Sequence, residues 1–514
     1  MRKLSARESF VVVMLGVFGM LSWGSQAQTP ASALAFTRIE DGPVAAAGGA
    51  IGAAWVDVDL DDDLDLFTVG TVSGGFTKML FRNDGHGTFT EIRDGTLLET
   101  DGITLRGVSW GDYDNDGDPD VAVGGTPSRV YRNAGDGTFS PVELSDADVD
   151  QVRGWSPSWA DYDNDGNLDL FITHPAGFAG ISQPNHLFRN SGPPDYELAR
   201  VSETALSAGF APFTSGNWSD FDADGDLDLF VGSGPANGTR GRDHDFRNLL
   251  AETGTATFER IEGLSFADQP RDGQVVNWVD IDNDRDLDVF VTNWGGQSGG
   301  LPNDLYRNDD GRYVRVTTGD LVSDSDVSLA NMWGDLDNDG DQDVVVVNSG
   351  RTGLYRNDGH GTFTRVADGP LATDSGTSWG GSLGDMDNDG DLDVVIPALR
   401  TFSEHRLYRN DLANDNAWIE LDLVGTRSNR SGIGAKVHVR ATIHGEDVWQ
   451  MREVASQNSF LGHNMLRVHV GLGDAPQVDE LMIEWPSGTV DRFTDVASDR
   501  RWAAHEGGGL TPLN

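Results

Sequence analysis

The chain has 514 residues, with 37 basic against 83 acidic side chains, a formal net charge of −46 and no cysteine. Without cysteine, a disulfide framework and a lipoprotein attachment site are both excluded. The negative charge argues against nucleic acid as a partner, because that affinity comes largely from Lys and Arg on phosphate.

The first 27 residues are typical of a secretory signal peptide. A basic start at Arg2 precedes an apolar run over residues 10–23, and a small-x-small cleavage site ends at Ala27. The run is short for a membrane span, which needs about 20 apolar residues. We therefore expect cleavage after Ala27. The mature protein, without a membrane span, should be secreted or stay in the periplasm or at the cell surface.

An acidic nine-residue loop recurs seven times between residues 57 and 393, and we number these loops 1 to 7. Loop 2 runs from Asp112 to Asp120, with acids at positions 1, 3, 5 and 9. The loops begin 49 to 60 residues apart, a period typical of repeat architectures such as propellers. The acids are Asp57, Asp59, Asp61 and Asp65 in loop 1, Asp112, Asp114, Asp116 and Asp120 in loop 2, Asp161, Asp163, Asp165 and Asp169 in loop 3, Asp220, Asp222, Asp224 and Asp228 in loop 4, Asp280, Asp282, Asp284 and Asp288 in loop 5, Asp335, Asp337, Asp339 and Asp343 in loop 6, and Asp385, Asp387, Asp389 and Asp393 in loop 7.

This pattern suits a hard cation, because alternate side chains of a tight loop converge and calcium takes six to eight oxygens at about 2.3–2.6 Å. Gly at position 6 permits the positive φ that wraps the chain round an ion. Asp62 and Arg285 replace that Gly in loops 1 and 5, which we expect to be strained or weaker. We predict up to seven calcium ions. The alternative is an Asx-rich surface turn without metal.

The sequence around each loop favours strands over the helices of an EF-hand. Position 12 is never acidic, and apolar runs such as residues 343–347 follow the loops. A Trp lies two residues before the first Asp in six of the seven copies, on the same face of the strand each time. We interpret these Trp residues as apolar packing between neighbouring repeats.

An aromatic-Arg-Asn tripeptide follows each loop, and a further strand follows the tripeptide in every copy but the seventh. The tripeptides are Phe81-Arg82-Asn83, Tyr131-Arg132-Asn133, Phe188-Arg189-Asn190, Phe246-Arg247-Asn248, Tyr306-Arg307-Asn308, Tyr355-Arg356-Asn357 and Tyr408-Arg409-Asn410. The sevenfold repetition of the Arg favours tying each blade together or balancing local carboxylates over binding a ligand. Asn-Asp-Gly at residues 83 and 357 is a hairpin signal. Each repeat is therefore predicted to be four antiparallel strands, the blade of a β-propeller.

The count of strands predicts how the repeats close. The seventh copy lacks the strand that follows its tripeptide, and one spare strand, residues 35–39, precedes the first copy. We predict that this spare strand completes the last blade. The propeller would then span residues 35–414 and have both of its chain ends joined in one sheet.

Connections between the second and third strands fall on the face opposite the acidic loops. They are long in copies 3, 4 and 5, at residues 173–186, 232–244 and 293–304, and carry Phe178, Arg240, Arg242 and Trp294. Loops of this kind often bind partners. We expect an extracellular or envelope protein or glycan to dock there, the alternative being tolerated insertions.

The sequence leaves a catalytic function open. It has no His-Glu-x-x-His pair. His174, His186 and His244 come toward one face, and their convergence with a free acid would favour an enzyme acting on polysaccharide or another envelope substrate. Otherwise we expect a non-catalytic binding or adhesion module. A third possibility is an assembly role, in which the C-terminal region docks to another chain.

From residue 415 to 505 the repeat gives way to alternating strands, followed by a tail at 506–514. Turn motifs occur at 428–430, 432–435, 471–473 and 485–488, reading Ser-Asn-Arg, Gly-Ile-Gly-Ala, Gly-Leu-Gly and Trp-Pro-Ser-Gly. The predicted fold is thus all-β, a seven-bladed propeller with calcium-binding hairpin loops followed by a small β-sandwich-like domain.

The turn motifs resemble those of the ASPIC/UnbV domain, and the repeats resemble the FG-GAP/VCBS repeats of integrin-α-type propellers. The combination is similar to the cartilage acidic protein family and its bacterial relatives. This resemblance covers nearly the whole mature chain. It implies a secreted calcium-binding propeller and does not imply a defined reaction.

Overall fold

The computed structural model describes residues 34–72, 75–100, 104–145, 154–174, 183–209, 213–234, 241–264, 266–267, 269–295, 299–399 and 404–513. The described chain is all-β, as predicted, with seven sheets of four or more strands built by the repeats, one two-stranded ladder between connections, and two sheets in a C-terminal domain. The predicted signal peptide lies outside the described residues. In the part that is described, no helix is long and apolar enough to cross a membrane.

Each repeat has a sheet with four antiparallel strands, numbered like its acidic loop, and sheet 3 gains a short fifth strand in parallel. The loop joins the first and second strands, and the tripeptide ends the third. The strands are Gly52–Val56, Asp65–Val72, Gly75–Asn83 and Phe89–Ile92 in sheet 1, Thr104–Gly111, Asp120–Thr126, Arg129–Asn133 and Phe139–Val142 in sheet 2, Pro157–Ala160, Asp169–Ile172, His186–Asn190 and Leu198–Val201 in sheet 3, Phe213–Ser219, Asp228–Ser233, His244–Asn248 and Phe258–Ile261 in sheet 4, Gly273–Val279, Asp288–Asn293, Asp304–Asp309 and Arg312–Val316 in sheet 5, Ser328–Gly334, Asp343–Asn348, Gly353–Asn357 and Phe363–Arg365 in sheet 6, and Ser382–Gly384, Asp393–Ile396, Arg406–Asn410 and Phe36–Ile39 in sheet 7.

The described connections carry only short elements. Leu144–Ser145 pairs in parallel with the fourth strand of sheet 3, and Gly350–Arg351 pairs with Ser375–Gly376. Helical turns span Pro43–Ala46, Leu250–Thr253, Asp320–Ser323 and Pro370–Thr373, with 3-10 turns at Thr96–Leu98 and Ala205–Ser207. Two of these turns start at Pro43 and Pro370, where the missing N–H and the fixed φ of proline fit the first helical position.

The N-terminal strand completes sheet 7, which confirms the predicted place of the spare strand. Phe36–Ile39 pairs antiparallel with Arg406–Asn410, Phe36 opposite Asn410 and Ile39 opposite Leu407. The first strands of neighbouring sheets contact each other from sheet 1 to sheet 7, and the first strand of sheet 7 contacts that of sheet 1. Main-chain hydrogen bonds therefore tie together the two ends of the repeat region.

The Trp residues before the acidic loops pack neighbouring sheets together, as interpreted from the sequence. Trp110 of sheet 2 meets Phe67 of sheet 1 edge-on, with ring centroids 5.5 Å apart. Trp333 of sheet 6 meets Phe290 of sheet 5 in the same way at 5.4 Å. Such edge-to-face pairs contribute about 0.5–1.5 kcal/mol beyond the burial of their area.

The C-terminal domain is a sandwich of two four-stranded sheets. In spatial order the strands are Val468–Gly473, Ala417–Val424, Arg500–His505 and Leu510–Pro512 in one sheet, and Glu446–Glu453, Lys436–Ile443, Gln477–Glu484 and Val490–Ala497 in the other. Alternate side chains such as Leu421 and Val439 fill the core between them. The predicted tail at 506–514 is a wrong boundary, because Leu510–Pro512 pairs with Arg500–His505 as an edge strand.

Glu506, at the start of that supposed tail, joins the two ends of the domain. Its carboxylate accepts hydrogen bonds from the backbone N of Thr426, Arg427 and Ser428 at 2.7–2.9 Å, and from the hydroxyl of Ser487. Burial by itself raises the pKa of Glu506, but these hydrogen bonds outweigh it and lower that pKa to about 2.

Glu506→Gln is expected to lower the free energy of unfolding by about 2 kcal/mol at pH 7, since hydrogen bonds to a charged group are lost. The folded-state pKa lies below the ordinary 4.5, so the stabilisation is present above about pH 4.5 and is lost as the pH falls toward 2. Urea unfolding of both proteins at pH 7 and pH 3, at one calcium concentration, measures the difference. Equal stability at pH 7 would contradict the role of Glu506.

Residues 455–465, which we call the central segment, leave the C-terminal domain and run between the first strands of all seven sheets. Phe460 and Leu461 are fully buried there. Interior backbone groups need partners, and hydrogen bonds to the seven sheets supply them. These bonds join His463 N to Ala53 O, Val108 N to Leu461 O, Trp159 N to Ser456 Oγ, Asn217 Nδ2 to Gln457 O, Asn277 Nδ2 to Asn458 O, Asn464 Nδ2 to Trp333 O and Met465 N to Leu383 O.

Candidate metal centres

The seven acidic loops share one internal geometry. In loop 2, Asp112 accepts from the backbone N of Asp116 at 3.1 Å and of Gly117 at 2.7 Å, and Asp116 accepts from the backbone N of Asp118 at 3.1 Å. The same three hydrogen bonds occur in every loop. Each loop is thus held closed by its own carboxylates at positions 1 and 5.

The Asn of the tripeptide anchors position 9 and links the repeats. Its backbone N donates to the position-9 carboxylate in all seven copies, as Asn133 does to Asp120 at 2.8 Å. In six copies its side chain also donates to the position-2 carbonyl of the preceding loop, as Asn133 does to Val58. Sequence reasoning weighed the neighbouring Arg and missed this Asn, although its presence in every copy was the signal.

The loops bring the predicted ligands together. Carboxylate oxygens of three acids lie within 4.8 Å of one another in loops 1 to 4, for example those of Asp112, Asp114 and Asp120. At position 3, one buried carboxylate oxygen has no partner among the described residues in five loops. These are the Oδ1 atoms of Asp59, Asp114, Asp163, Asp282 and Asp387. Buried polar atoms are normally paired, and an all-carboxylate set of oxygens fits a hard cation such as calcium.

Burial makes these carboxylates costly to ionise. It raises the pKa of Asp112 to about 7, that of Asp120 to about 9, and those of Asp65 and Asp288 to about 8. Neighbouring carboxylates of the same loop raise each of these pKa values further. A divalent cation among them would offset both effects.

Position 6 is left-handed in every loop, which explains its glycines. Asp62 and Arg285 hold φ values of 75° and 74° there, so the strain expected for loops 1 and 5 is present. The guanidinium of Arg285 lies over the ring of Trp449 in the C-terminal domain, 4.8 Å from its centroid. Its positive charge is therefore directed toward an aromatic partner.

The Arg of the tripeptide balances local carboxylates, one of the two predicted roles. Where Asp follows the tripeptide, the Arg pairs with that Asp, as Arg82 does with Asp84 at 2.6 Å. In repeats 2, 3 and 4 the next residue is Ala, Ser or Leu, and the Arg turns to the position-3 acid of the loop, as Arg132 does to Asp114 at 2.6 Å. The residue after the tripeptide thus sets the nearest partner of the Arg, although Arg307 also lies 3.9 Å from Asp282.

Position 4 connects successive loops. It is left-handed in all seven, with φ between 52° and 61°, a region that Asn tolerates. In five loops it is an Asn whose side-chain amide donates to the next loop, whereas Leu60 and Ala223 in loops 1 and 4 have no amide to donate. The bonds run from Asn115 to Gly166 O, Asn164 to Gly225 O, Asn283 to Gly340 O, Asn338 to Gly390 O and Asn388 to Asp63 Oδ1.

Leu60→Asn and Ala223→Asn are each expected to raise the free energy of unfolding by about 1 kcal/mol, through relief of left-handed strain and a new inter-loop hydrogen bond. Leu60 is 50% exposed, so its replacement costs little packing. Urea unfolding in saturating calcium measures the gain. Asn283→Ala is the reciprocal control and should lose a similar amount. Stabilities equal to wild type in all three variants would contradict the inter-loop role of position 4.

The C-terminal domain covers the acidic loops. It contacts all seven of them, through backbone atoms, side chains or both. The contacts are Arg501 on Asp62 O, Arg430 N on Asn115, Arg427 O against Gly166, Lys436 on Asp220, Trp449 on Arg285, Gly473 N on Asn338 O, and His469 on Gly390 O. At Gly166 a Cβ would lie 2.6 Å from Arg427 O, so glycine at this position also permits the close approach of the domain.

The three histidines weighed for catalysis are buried or half-buried. Burial keeps two of them, His174 and His244, uncharged at neutral pH. The rings of His174 and His186 lie 4.2 Å apart, whereas His244 packs on Phe213 at 5.0 Å. Burial lowers the pKa of His174 well below its ordinary value and that of His244 to about 4. Among the described residues, no carboxylate forms an ion pair with His174 or His244.

The long connections of the opposite face are only partly described. Phe178 and Arg240, two of the four residues predicted to meet a partner, lie outside the described residues. Arg242 is exposed and Trp294 is half-buried. Both belong to repeats 4 and 5, on the side away from the acidic loops, so these two side chains remain available as probes of partner binding.

Two family models match the chain: ASPIC and UnbV over residues 425–511, and the FG-GAP-like repeat over residues 71–123, 121–172, 280–346 and 335–396. No curated protein matches the sequence. A solved Agrocybe aegerita lectin, described as recognising non-reducing terminal N-acetylglucosamine, is 17% identical, with 81% of this chain and 93% of that chain covered and a TM-score of 0.41. BBS1N in complex with ARL6DN is 12% identical over 74% of this chain and 98% of that chain, with a TM-score of 0.42. The protein thus carries FG-GAP-like repeats followed by a C-terminal ASPIC and UnbV domain.

Proposed function

We propose that this protein is an exported, calcium-binding β-propeller of seven blades that acts as a non-catalytic binding or adhesion module. The observation that carries the calcium assignment is the buried position-3 oxygen that lacks a partner in five loops, beside carboxylates that are otherwise hydrogen-bonded. Calcium is a hard cation that takes its ligands from carboxylate and carbonyl oxygens. Export rests on the signal-like residues 1–27 and would place the loops where calcium is plentiful.

The face that would bind a partner is the one opposite the acidic loops. The C-terminal domain contacts every acidic loop, and the central segment fills the space between the first strands. These contacts occupy the acidic-loop face and the axis within the described residues. The opposite face, which carries the long connections of repeats 3, 4 and 5, is therefore the one we assign to an extracellular or envelope protein or glycan.

A propeller enzyme acting on polysaccharide is the second candidate, and a cavity of about 120 Å³ beside the axis is where it would work. Its titratable groups have other partners. Glu453 accepts from Ser219 and from the backbone N of Asp220, and the Nε2 of His469 is hydrogen-bonded to Gly390 O. Because general acids and bases must be free to exchange protons with a substrate, these contacts favour the binding module.

Binding to a printed glycan array, with the mature protein in calcium, tests the proposed face. We expect that Arg242→Ala combined with Trp294→Ala abolishes signals that wild type gives. Arg312→Ala, an exposed Arg at the outer strand of repeat 5, is the control and should bind like wild type. Array signals that survive the double substitution would contradict the proposed face. Hydrolysis or elimination of a bound glycan would contradict the non-catalytic assignment.

A further inference from the structure

Repeat 4 has a longer connection after its tripeptide than repeats 1, 2, 3 and 6 have. In repeats 1, 2 and 6 the tripeptide leads directly into a tight turn, closed by a backbone hydrogen bond such as Asp84 N to Thr88 O. In repeat 4 the helical turn Leu250–Thr253 follows the tripeptide instead, and Leu249 N bonds to Thr257 O. The inserted turn carries Glu252 back toward acidic loop 4.

Glu252 completes a second group of carboxylates beside loop 4, which we call the repeat-4 cluster. Oxygens of Asp224, Asp226 and Glu252 lie within 4.8 Å of one another. Asp226 occupies position 7 of the loop and belongs to none of the seven predicted ligand sets. Carboxylates this close repel one another unless a positive charge lies among them.

Asp226 is the position-7 acid that most needs such a charge. Its side chain is 1% exposed; Oδ2 accepts from Ala251 N at 2.8 Å, and Oδ1 has no partner among the described residues. A buried acceptor without a partner has lost the hydrogen bonds that bulk water would donate to it, and this loss destabilises the folded state. An oxygen-binding cation in the repeat-4 cluster would satisfy it.

The equivalent acids of other repeats show why Asp226 differs. The carboxylates of Asp63, Asp341 and Asp391 each accept a side-chain amide from the Asn of the preceding loop, at 2.7–2.9 Å. Asp118 and Asp286 follow loops without that Asn and are partly exposed to water. The side-chain amide of Asn164 donates to Gly225 O and not to Asp226. Asp226 is therefore buried and accepts no hydrogen bond from the Asn of the preceding loop.

The charges near loop 4 leave room for two divalent ions. The guanidinium of Arg247 contacts Asp222 at 2.8 Å, Asp224 at 3.4 Å and Glu252 at 2.8 Å, and Lys436 contacts Asp220 at 2.8 Å. Six carboxylates of the loop and its inserted turn therefore face two cations, which leaves four negative charges even before Glu453, which accepts from Asp220 N and also faces Lys436, is counted. The six are Asp220, Asp222, Asp224, Asp226, Asp228 and Glu252. One divalent ion in the loop would balance half of that excess.

We propose that Asp224, Asp226 and Glu252 bind a second divalent cation beside loop 4, with Asp224 bridging the two ions. The ligands are carboxylate oxygens, so the cation is of the calcium type. This site extends the proposed calcium function and rests on it. It adds an ion that no other repeat holds, because the helical turn that supplies Glu252 is confined to repeat 4 within the described residues.

Counting calcium ions by native mass spectrometry on the mature chain tests the site. Glu252→Gln is expected to bind one ion fewer than wild type at saturating calcium, without unfolding, because Glu252 is exposed. Asp226→Asn should lose the same ion. Asp286→Asn, at position 7 of loop 5, is the matched control and should keep the wild-type count.

The outcomes separate this site from the proposed function. If wild type binds no calcium, the loop assignment and the repeat-4 cluster both fall. If wild type binds calcium and Glu252→Gln binds the same number of ions, only the proposal of a second ion at the repeat-4 cluster is overturned. Arg247 would then be the cation that neutralises the cluster. A loss of one ion in Glu252→Gln and Asp226→Asn, with none in Asp286→Asn, supports the second ion.

Discussion

Removal of calcium is expected to lower the melting temperature of the mature chain by about 10 °C or more. An ion that binds only the folded state stabilises it by about 2.7 kcal/mol per site at a hundredfold excess over Kd. Four occupied loops would supply on the order of 10 kcal/mol, within the roughly 5–15 kcal/mol that stabilises a typical domain. Thermal melts with calcium and with a chelator, alongside native mass spectrometry, measure the effect.

Two controls sharpen this result. Magnesium added after chelation should restore less stability than calcium, because it demands octahedral geometry at shorter distances and keeps its waters. Asp114→Asn, at position 3 of loop 2, should remove one ion and shift the melt by only part of the chelator effect. A melting temperature that does not change when the chelator is added, with no ions bound, would require the calcium assignment to be withdrawn for all seven loops.

Gly462→Ala in the central segment is expected to lower the free energy of unfolding by about 3 kcal/mol, the upper part of the range for overpacking a buried site. A Cβ at this position would lie 2.1 Å from Ala53 O and 2.9 Å from Ala53 N. Those atoms belong to the first strand of sheet 1 and are held by its ladder. Either that strand or the central segment must therefore shift, which disturbs bonds shared with all seven sheets. Urea unfolding in saturating calcium measures the loss.

Gly509→Ala is the matched control for this substitution. It lies in the same C-terminal domain, and a Cβ there would meet no atom within 4 Å. Its stability should stay within about 0.5 kcal/mol of wild type. If Gly462→Ala is as stable as Gly509→Ala, the central segment does not hold the sheets together, and the C-terminal domain would be an independent unit attached to the acidic-loop face.

The parts of the site that could be predicted are those that depend on residues near one another in the chain. The acids at positions 1, 3, 5 and 9 lie within nine residues, so their spacing predicts a closed loop, and the structure shows the same hydrogen bonds in all seven. The missing strand of the seventh repeat could be counted, which led to the pairing of Phe36–Ile39 with Arg406–Asn410. Repetition made a weak local signal reliable.

The parts that could not be predicted depend on long-range contacts. His463 accepts a hydrogen bond from Trp110, 353 residues away, and no local pattern in residues 455–465 indicates that they enter the repeat region. Likewise Glu506 looked like part of a tail because its partners, Thr426 to Ser428, lie about 80 residues earlier. Sequence distance hid both roles, because the residues meet only after the sheets have formed.

The sequence by itself determined the all-β class, the seven repeats with their acidic loops, and the ASPIC and UnbV region, because side-chain periodicity and loop spacing are local properties. Only the tertiary structure decided that the C-terminal domain covers those loops, that its central segment fills the space between the first strands of the seven sheets, and that Glu252 reaches Asp226. Those arrangements depend on packing, because buried polar groups need hydrogen-bond partners and these partners come from residues distant in the sequence.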